Sequence, residues 1–169
     1  GSKILLIDAD MRRPRLARLL GIRPNGKDLS SILTGASKLD EVRRRDGLVP
    51  KLDIIPAFGR TPNAQDLLGS KQMKKFMDEV VELYDLVIVD TPPILAVADA
   101  AMISRVVDTN LFIVKWAETA RDTVTQALKQ LKTFDCRIAG AILNQVNFNE
   151  LASYGEGYHS HKYHAYYTD

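Results

Sequence analysis

The sequence predicts an α/β domain built on a parallel β-sheet flanked by helices. Three observations carry that expectation. Continuous aliphatic runs such as "KILLID" and "LVIVD" read as strands buried on both faces. Segments with helical spacing of apolar residues alternate with them along the chain. Two of these runs end in aspartate, at Asp8 and at Asp90, and ligand sites of parallel sheets lie beyond the carboxyl ends of the strands.

Each element has a local reason. "KILLID" is the first strand, and "RPRLARLLG" follows as a short helix, with Pro14 near its start and Gly21 at its end. "LSSILTG" is a second short helix closed by Gly35, and "LDIIPA" is the second strand. From Asp66 to Leu83 the residues Met73, Phe76, Met77 and Val80 recur at helical spacing. "LVIVD" is a third buried strand, "AVADAAMIS" a helix of small residues and "TNLFIVK" the fourth strand. In "TARDTVTQALKQLKTF", Thr119 is expected to cap the helix and Asp122 to complete a capping box. Val124, Ala127, Leu128 and Leu131 form its expected buried stripe. "RIAGAILNQV" is the fifth strand. Residues 1–149 thus read as the folded domain and 150–169 as a flexible tail without aliphatic periodicity.

Composition narrows the class. The 169 residues suffice for one domain with a real core, and 46% hydrophobic with 26% charged residues is ordinary for a globular protein. A net charge of +2 argues against a nucleic-acid partner. The cluster Arg43–Arg45 reads as a solvated loop rather than a polyanion contact. A single cysteine, Cys136, excludes an internal disulfide and suits a reducing compartment, packing as a small apolar group. No apolar run approaches the ~20 residues of a membrane span, and no signal peptide is visible, so a chain soluble by itself is expected.

The chemistry lies in the acids. Strands one and three would bring Asp8, Asp10 and Asp90 to a common rim. Such a rim is costly without a positive charge opposite it. Mg²⁺ on nucleotide phosphates supplies that charge, since it takes oxygen ligands and often only one or two carboxylates. The alternative is that each aspartate merely caps a helix or starts a turn.

These residues resemble a known family. "ILLIDADMRRP" resembles a Walker A′ motif and "YDLVIVDTPP" a Walker B motif, as in the MinD/ParA-type P-loop ATPases. Within that group the likeness is to the bacterial tyrosine kinases that control capsule and exopolysaccharide export. It extends through "RRPRLARLLGI", "LSSILTGASKLDEV", "LDIIPAFGRTPNAQDLL" and the tyrosine-rich end, from Lys3 to Asp169. The resemblance implies ATP and Mg²⁺ as cofactors. It implies that Asp8 or Asp10 orients or deprotonates the incoming tyrosine, and that Asp10 and Asp90 serve the metal. Arg12 would contact phosphate, fix the acids or form a structural ion pair. Thr91 would meet phosphate or metal-bound water, and Asn144 would read adenine, with a simple strand-end turn as its alternative.

A phosphate-cradling G-x-x-x-x-G-K-[ST] loop occurs nowhere in the 169 residues. In the family that loop, its strand and its helix directly precede the A′ strand. The expectation is therefore a fragment with open strand edges and exposed apolar surface, poor in ATP binding and inactive alone. Self-association or a partner would complete it.

Five of the six tyrosines, Tyr154, Tyr158, Tyr163, Tyr166 and Tyr167, fall in the last 16 residues. By the resemblance they are phosphoryl acceptors presented to a neighbour, and each phosphate would add about 1.5–2 negative charges. A self-associating aromatic tail is the alternative. His159, His161 and His164 lack an accompanying acid or cysteine cluster and do not read as a metal site, and Trp116 reads as packing. The implied partners are a membrane polysaccharide co-polymerase or activator, fused or separate, and a phosphatase. The implied location is the cytoplasm, tethered at the inner face of the bacterial plasma membrane. Two rivals remain: a MinD/ParA-type regulatory ATPase and a non-enzymatic assembly module.

Overall fold

The computed structural model describes residues 1–148. In chain order the elements are β1 (Ile4–Asp8), α1 (Leu16–Leu19), α2 (Leu29–Leu33), α3 (Leu39–Val42), β2 (Arg44–Arg45), β3 (Leu52–Ile55), α4 (Ala64–Leu68), α5 (Lys71–Leu83), β4 (Leu86–Asp90), α6 (Asp99–Ile103), β5 (Asn110–Lys115), α7 (Arg121–Thr133) and β6 (Ile138–Asn144). The α/β class and the parallel pairing of the expected strands are as the sequence predicts.

The strands divide into two sheets. One has the order β2-β3-β1-β4 and the other pairs β5 with β6. β1 lies parallel to both β3 and β4. Its residues Leu5 and Ile7 are fully buried and anchor a core that includes Leu29, Val42, Ile55, Met73, Phe76, Met77 and Val80. The apolar stripe expected between residues 66 and 83 is thus the core face of α5. Ser70 caps that helix by accepting from the Met73 amide at 3.1 Å, which separates it from α4.

β4 differs from expectation. It was expected to be buried on both faces, but Leu86 and Ile88 stay 49% and 46% exposed while Val87 and Val89 turn to the core. It pairs with β1 only, and helices cover only one of its faces. β5 likewise pairs on one side only, and Leu111 and Ile113 are each 60% exposed. β4 and β5 therefore each leave an open edge and bare aliphatic side chains.

Smaller corrections have local causes. α7 begins one residue later than predicted: Ala120 holds the cap position with no side-chain hydrogen bond, so the Thr119–Asp122 capping box does not form. Of its expected stripe, Ala127 and Leu131 are buried, Val124 is half-buried and Leu128 is exposed. Cys136 is half-buried and donates to Ser104 Oγ at 2.9 Å rather than acting as a purely apolar filler.

Arg43–Arg45 is not a solvated loop. Arg44 and Arg45 form an antiparallel edge strand on β3, and Arg43 and Arg45 both pair with the buried Asp53 at 3.3 Å. The Tyr84 hydroxyl donates to the same carboxylate at 2.8 Å. Burial pushes the Asp53 pKa up, but Tyr84 and the two guanidiniums outweigh it and hold the carboxyl below its ordinary range. Lys3 stacks its ammonium 4.5 Å from the Tyr84 ring centre, and its amide donates to Asp85 at 2.7 Å. This network ties the amino ends of β1, β3 and β4 together. Removing the hydroxyl in Tyr84→Phe takes a hydrogen bond from a buried charge, so urea unfolding should show a loss of about 1.5–3 kcal/mol.

Candidate active site

The site follows from strand register. β1 and β4 run parallel with Asp8 opposite Asp90, and the Ala9 amide donates to the Asp90 carbonyl at 2.8 Å. The strand-end acids are therefore neighbours, and Asp10 follows one turn of loop later.

Each acid has its own environment. Asp8 is fully buried. Its Oδ1 accepts from the Asp10 amide and its Oδ2 from the Leu16 amide, both at 3.2 Å. These bonds fold the loop from β1 into α1. Burial, followed by the negative charges of Asp90 and Asp10, pushes the Asp8 pKa up to about 6 against the pull of the two amides. Asp10 is half-buried, and its Oδ1 accepts from the Arg12 and Arg13 amides at 3.3 and 2.9 Å. Asp90 is open to solvent, yet partial burial of its charge and the nearby Asp10 raise its pKa, opposed by a bond from the Thr91 amide.

The remaining candidates are placed as follows. Arg12 is committed to an ion pair: its Nε donates to Asp99 Oδ2 at 2.7 Å and its Nη2 to Asp99 Oδ1 at 3.0 Å. Of the roles open to it, this geometry favours fixing the acid loop over contacting phosphate. Thr91 is half-buried beside Asp90. Asn144 ends β6 in the second sheet, where its Oδ1 accepts from the Gln145 amide at 2.9 Å and its carbonyl accepts from Trp116. It makes no described contact with the acids. Tyr154, Tyr158, Tyr163, Tyr166, Tyr167 and the three histidines lie outside the described residues.

Sequence reasoning missed Asp99, which is fully buried at the start of α6. The available signal was a lone acid within the otherwise small and apolar "AVADAAMIS".

The acids fit a magnesium ion. All three are hard oxygen donors, and burial together with their mutual repulsion raises the pKa of Asp8 and of Asp90. Among the described residues no group of three His, Cys, Asp or Glu closes a metal cage by itself. Mg²⁺ does not require such a cage, since it keeps waters and phosphate oxygens alongside one or two carboxylates. Asp10 and Asp90 would hold it, since Asp10 Oδ2 accepts no hydrogen bond among the described residues and Asp90 is open to solvent, whereas Asp8 is fully buried. Bound there, the ion would neutralise charge on phosphate oxygens.

A family model described as "AAA domain" matches residues 1–144. The chain belongs to this family. Within it, the chain groups with bacterial tyrosine-kinase domains. It is 34% identical over 155 residues to the tyrosine-protein kinase YwqD of Bacillus subtilis, covering 92% of this chain and 65% of that protein. It spans about a fifth of other curated tyrosine-protein kinases that it matches. The crystal structure of the VpsO kinase domain superimposes with a TM-score of 0.81 at 31% identity, over 86% of this chain and 71% of that one. MinD of Pyrococcus horikoshii, solved with Mg-ADP, shares the fold at 18% identity with a TM-score of 0.70, over 88% of this chain and 60% of that one. The described residues include no helix long and apolar enough to cross a membrane.

The acid cluster has a pH signature. The folded state keeps the Asp8 proton up to about pH 6, whereas the unfolded chain releases it near pH 4. The fold thus binds more protons in that window, and its stability falls as pH rises through it. Asp90→Asn removes one repelling charge. In thermal melts without divalent cations, the variant should melt above the wild type at pH 7, with the gap closing at pH 4.5. Equal gaps at the two pH values would contradict the clustered charges.

Proposed function

We propose that this chain carries the acid half of the catalytic site of an ATP-dependent protein-tyrosine autokinase. The observation that supports it most is the convergence of Asp8, Asp10 and Asp90 at the carboxyl ends of two adjacent parallel strands. The kinase names of the relatives give the reaction class.

In this reading Asp10 and Asp90 would hold Mg²⁺, Asp10 through a metal-bound water, while Asp8 shapes the loop that presents Asp10. Asp10 Oδ1 is occupied by two amides, and Oδ2 receives no hydrogen bond among the described residues. Oδ2 is therefore the oxygen free to take the proton of an incoming tyrosine hydroxyl. The hydroxyl oxygen bonds to the γ-phosphorus, the bond to the β-phosphate oxygen breaks, and ADP leaves. Thr91 would position phosphate or a metal-bound water. Asn144 would serve the nucleotide base. The acceptors are Tyr154, Tyr158, Tyr163, Tyr166 and Tyr167 of a neighbouring copy. A glycine-rich phosphate loop would come from polypeptide outside these 169 residues, and the bare edges of β4 and β5 suit such an addition. The kinase would control polysaccharide export at the membrane, with a co-polymerase or activator and a phosphatase as partners.

Two measurements test the reading. Calorimetry on the 169-residue chain should show weak or no Mg-ATP binding. Joined to a phosphate-loop segment, the chain should phosphorylate its own tail tyrosines, read by mass spectrometry. Asp10→Asn should reduce that rate by roughly 10²-fold or more. Equal tail phosphorylation in both proteins would sink the assignment.

A further inference from the structure

The magnesium site does not account for Asp99. Its carboxylate is fully buried, and both oxygens receive a nitrogen of one guanidinium. A planar two-point pair of this kind fixes direction as well as distance. It joins residues 87 apart in sequence, and each lies on a connection that carries a metal-site acid. Arg12 follows Asp10 on the loop after β1. Asp99 follows Asp90 at the end of the segment from β4 to α6.

Arg12 acts at both of its ends. Its amide donates to Asp10 Oδ1, and its guanidinium, bound to Asp99, also feels the Asp10 charge. Contact with a phosphate would draw that guanidinium away and strand a carboxylate with no access to water. The segment between Asp90 and Asp99 is pinned a second time, where Gln130 Nε2 donates to the Ile94 carbonyl at 3.1 Å.

We propose that Asp99 is a positioning residue: through Arg12 it clamps the Asp10 loop to the segment that follows Asp90, and so sets the spacing of the two metal-site acids. The clamp also holds the Arg12 guanidinium on Asp99 by two bonds rather than on the acids. The spacing claim stands on the ion pair, whereas its catalytic meaning rests on the kinase reading above.

The full chain provides the test, by amide hydrogen exchange and by Mn²⁺ binding followed by electron paramagnetic resonance. In Asp99→Asn, exchange across residues 9–16 and 91–99 should quicken together by about tenfold or more, while β1, β3 and α5 stay protected. Arg12→Lys keeps the charge but loses the two-point fit, and it should loosen the same two segments. The double variant Arg12→Gln/Asp99→Asn leaves no buried unpaired charge. It should loosen them no further than either single change. Additive effects, a uniform rise that includes α5, or loosening of α6 alone would overturn the clamp. Wild-type chain that binds Mn²⁺ should lose about tenfold in affinity in Asp99→Asn. Unchanged affinity would overturn the spacing role. A wild type that binds no Mn²⁺ counts against the metal reading, and the exchange result then decides the clamp by itself.

Discussion

The parallel register of β1 against β4 is the constraint on which the rest depends. Pairing Ile4 with Leu86 at one end forces Asp8 beside Asp90 at the other, and strand geometry allows no retreat. Two carboxylates at one sheet edge repel, and Asp10 adds a third negative charge. A fold that only needed stability would place apolar or oppositely charged residues there. Retaining the arrangement makes sense where a cation and its anionic ligand are to be received.

The amino end of the neighbouring strand β3 shows the contrast. There Asp53 is also buried, but Tyr84, Arg43 and Arg45 surround it, and its carboxyl is held below the ordinary range. Asp8 is just as buried, has only backbone amides for partners, and is pushed above that range. Burial is common to both, and the partners decide the sign. At the amino edge the buried carboxylate is paired with cations, whereas at the carboxyl edge it meets only amides.

Much of this was legible in the sequence, where a signal was local. Aliphatic runs closed by Asp8 and Asp90 marked the strands and the rim, and the Met73–Phe76–Met77–Val80 spacing marked the core face of α5. What stayed hidden depends on partners far along the chain. Arg44 and Arg45 become a strand because β3 offers an edge and Asp53 a counter-charge. From the sequence, phosphate contact, fixing the acids and a structural ion pair all stay open for Arg12, because its carboxylate lies 87 residues away. The exposure of Leu86 and Ile88 follows from which strands lie beside β4, and no property of "LVIVD" itself encodes that.

Arg12 and Asp99 also bear on the charge of the site. A free guanidinium beside Asp10 would offset one of the three carboxylates and weaken the attraction for a divalent ion. Paired with Asp99, it contributes rigidity while its charge is shared with the buried carboxylate. Arginine suits this better than lysine, because its planar fork satisfies both carboxylate oxygens at once. The acid loop is thereby held at two levels: by Asp8 through the amides of Asp10 and Leu16, and by Asp99 through the Arg12 side chain. Asp10 is the residue left between these anchors, with one oxygen fastened and the other available, the disposition required of a group that must meet a metal or a hydroxyl without moving to do so.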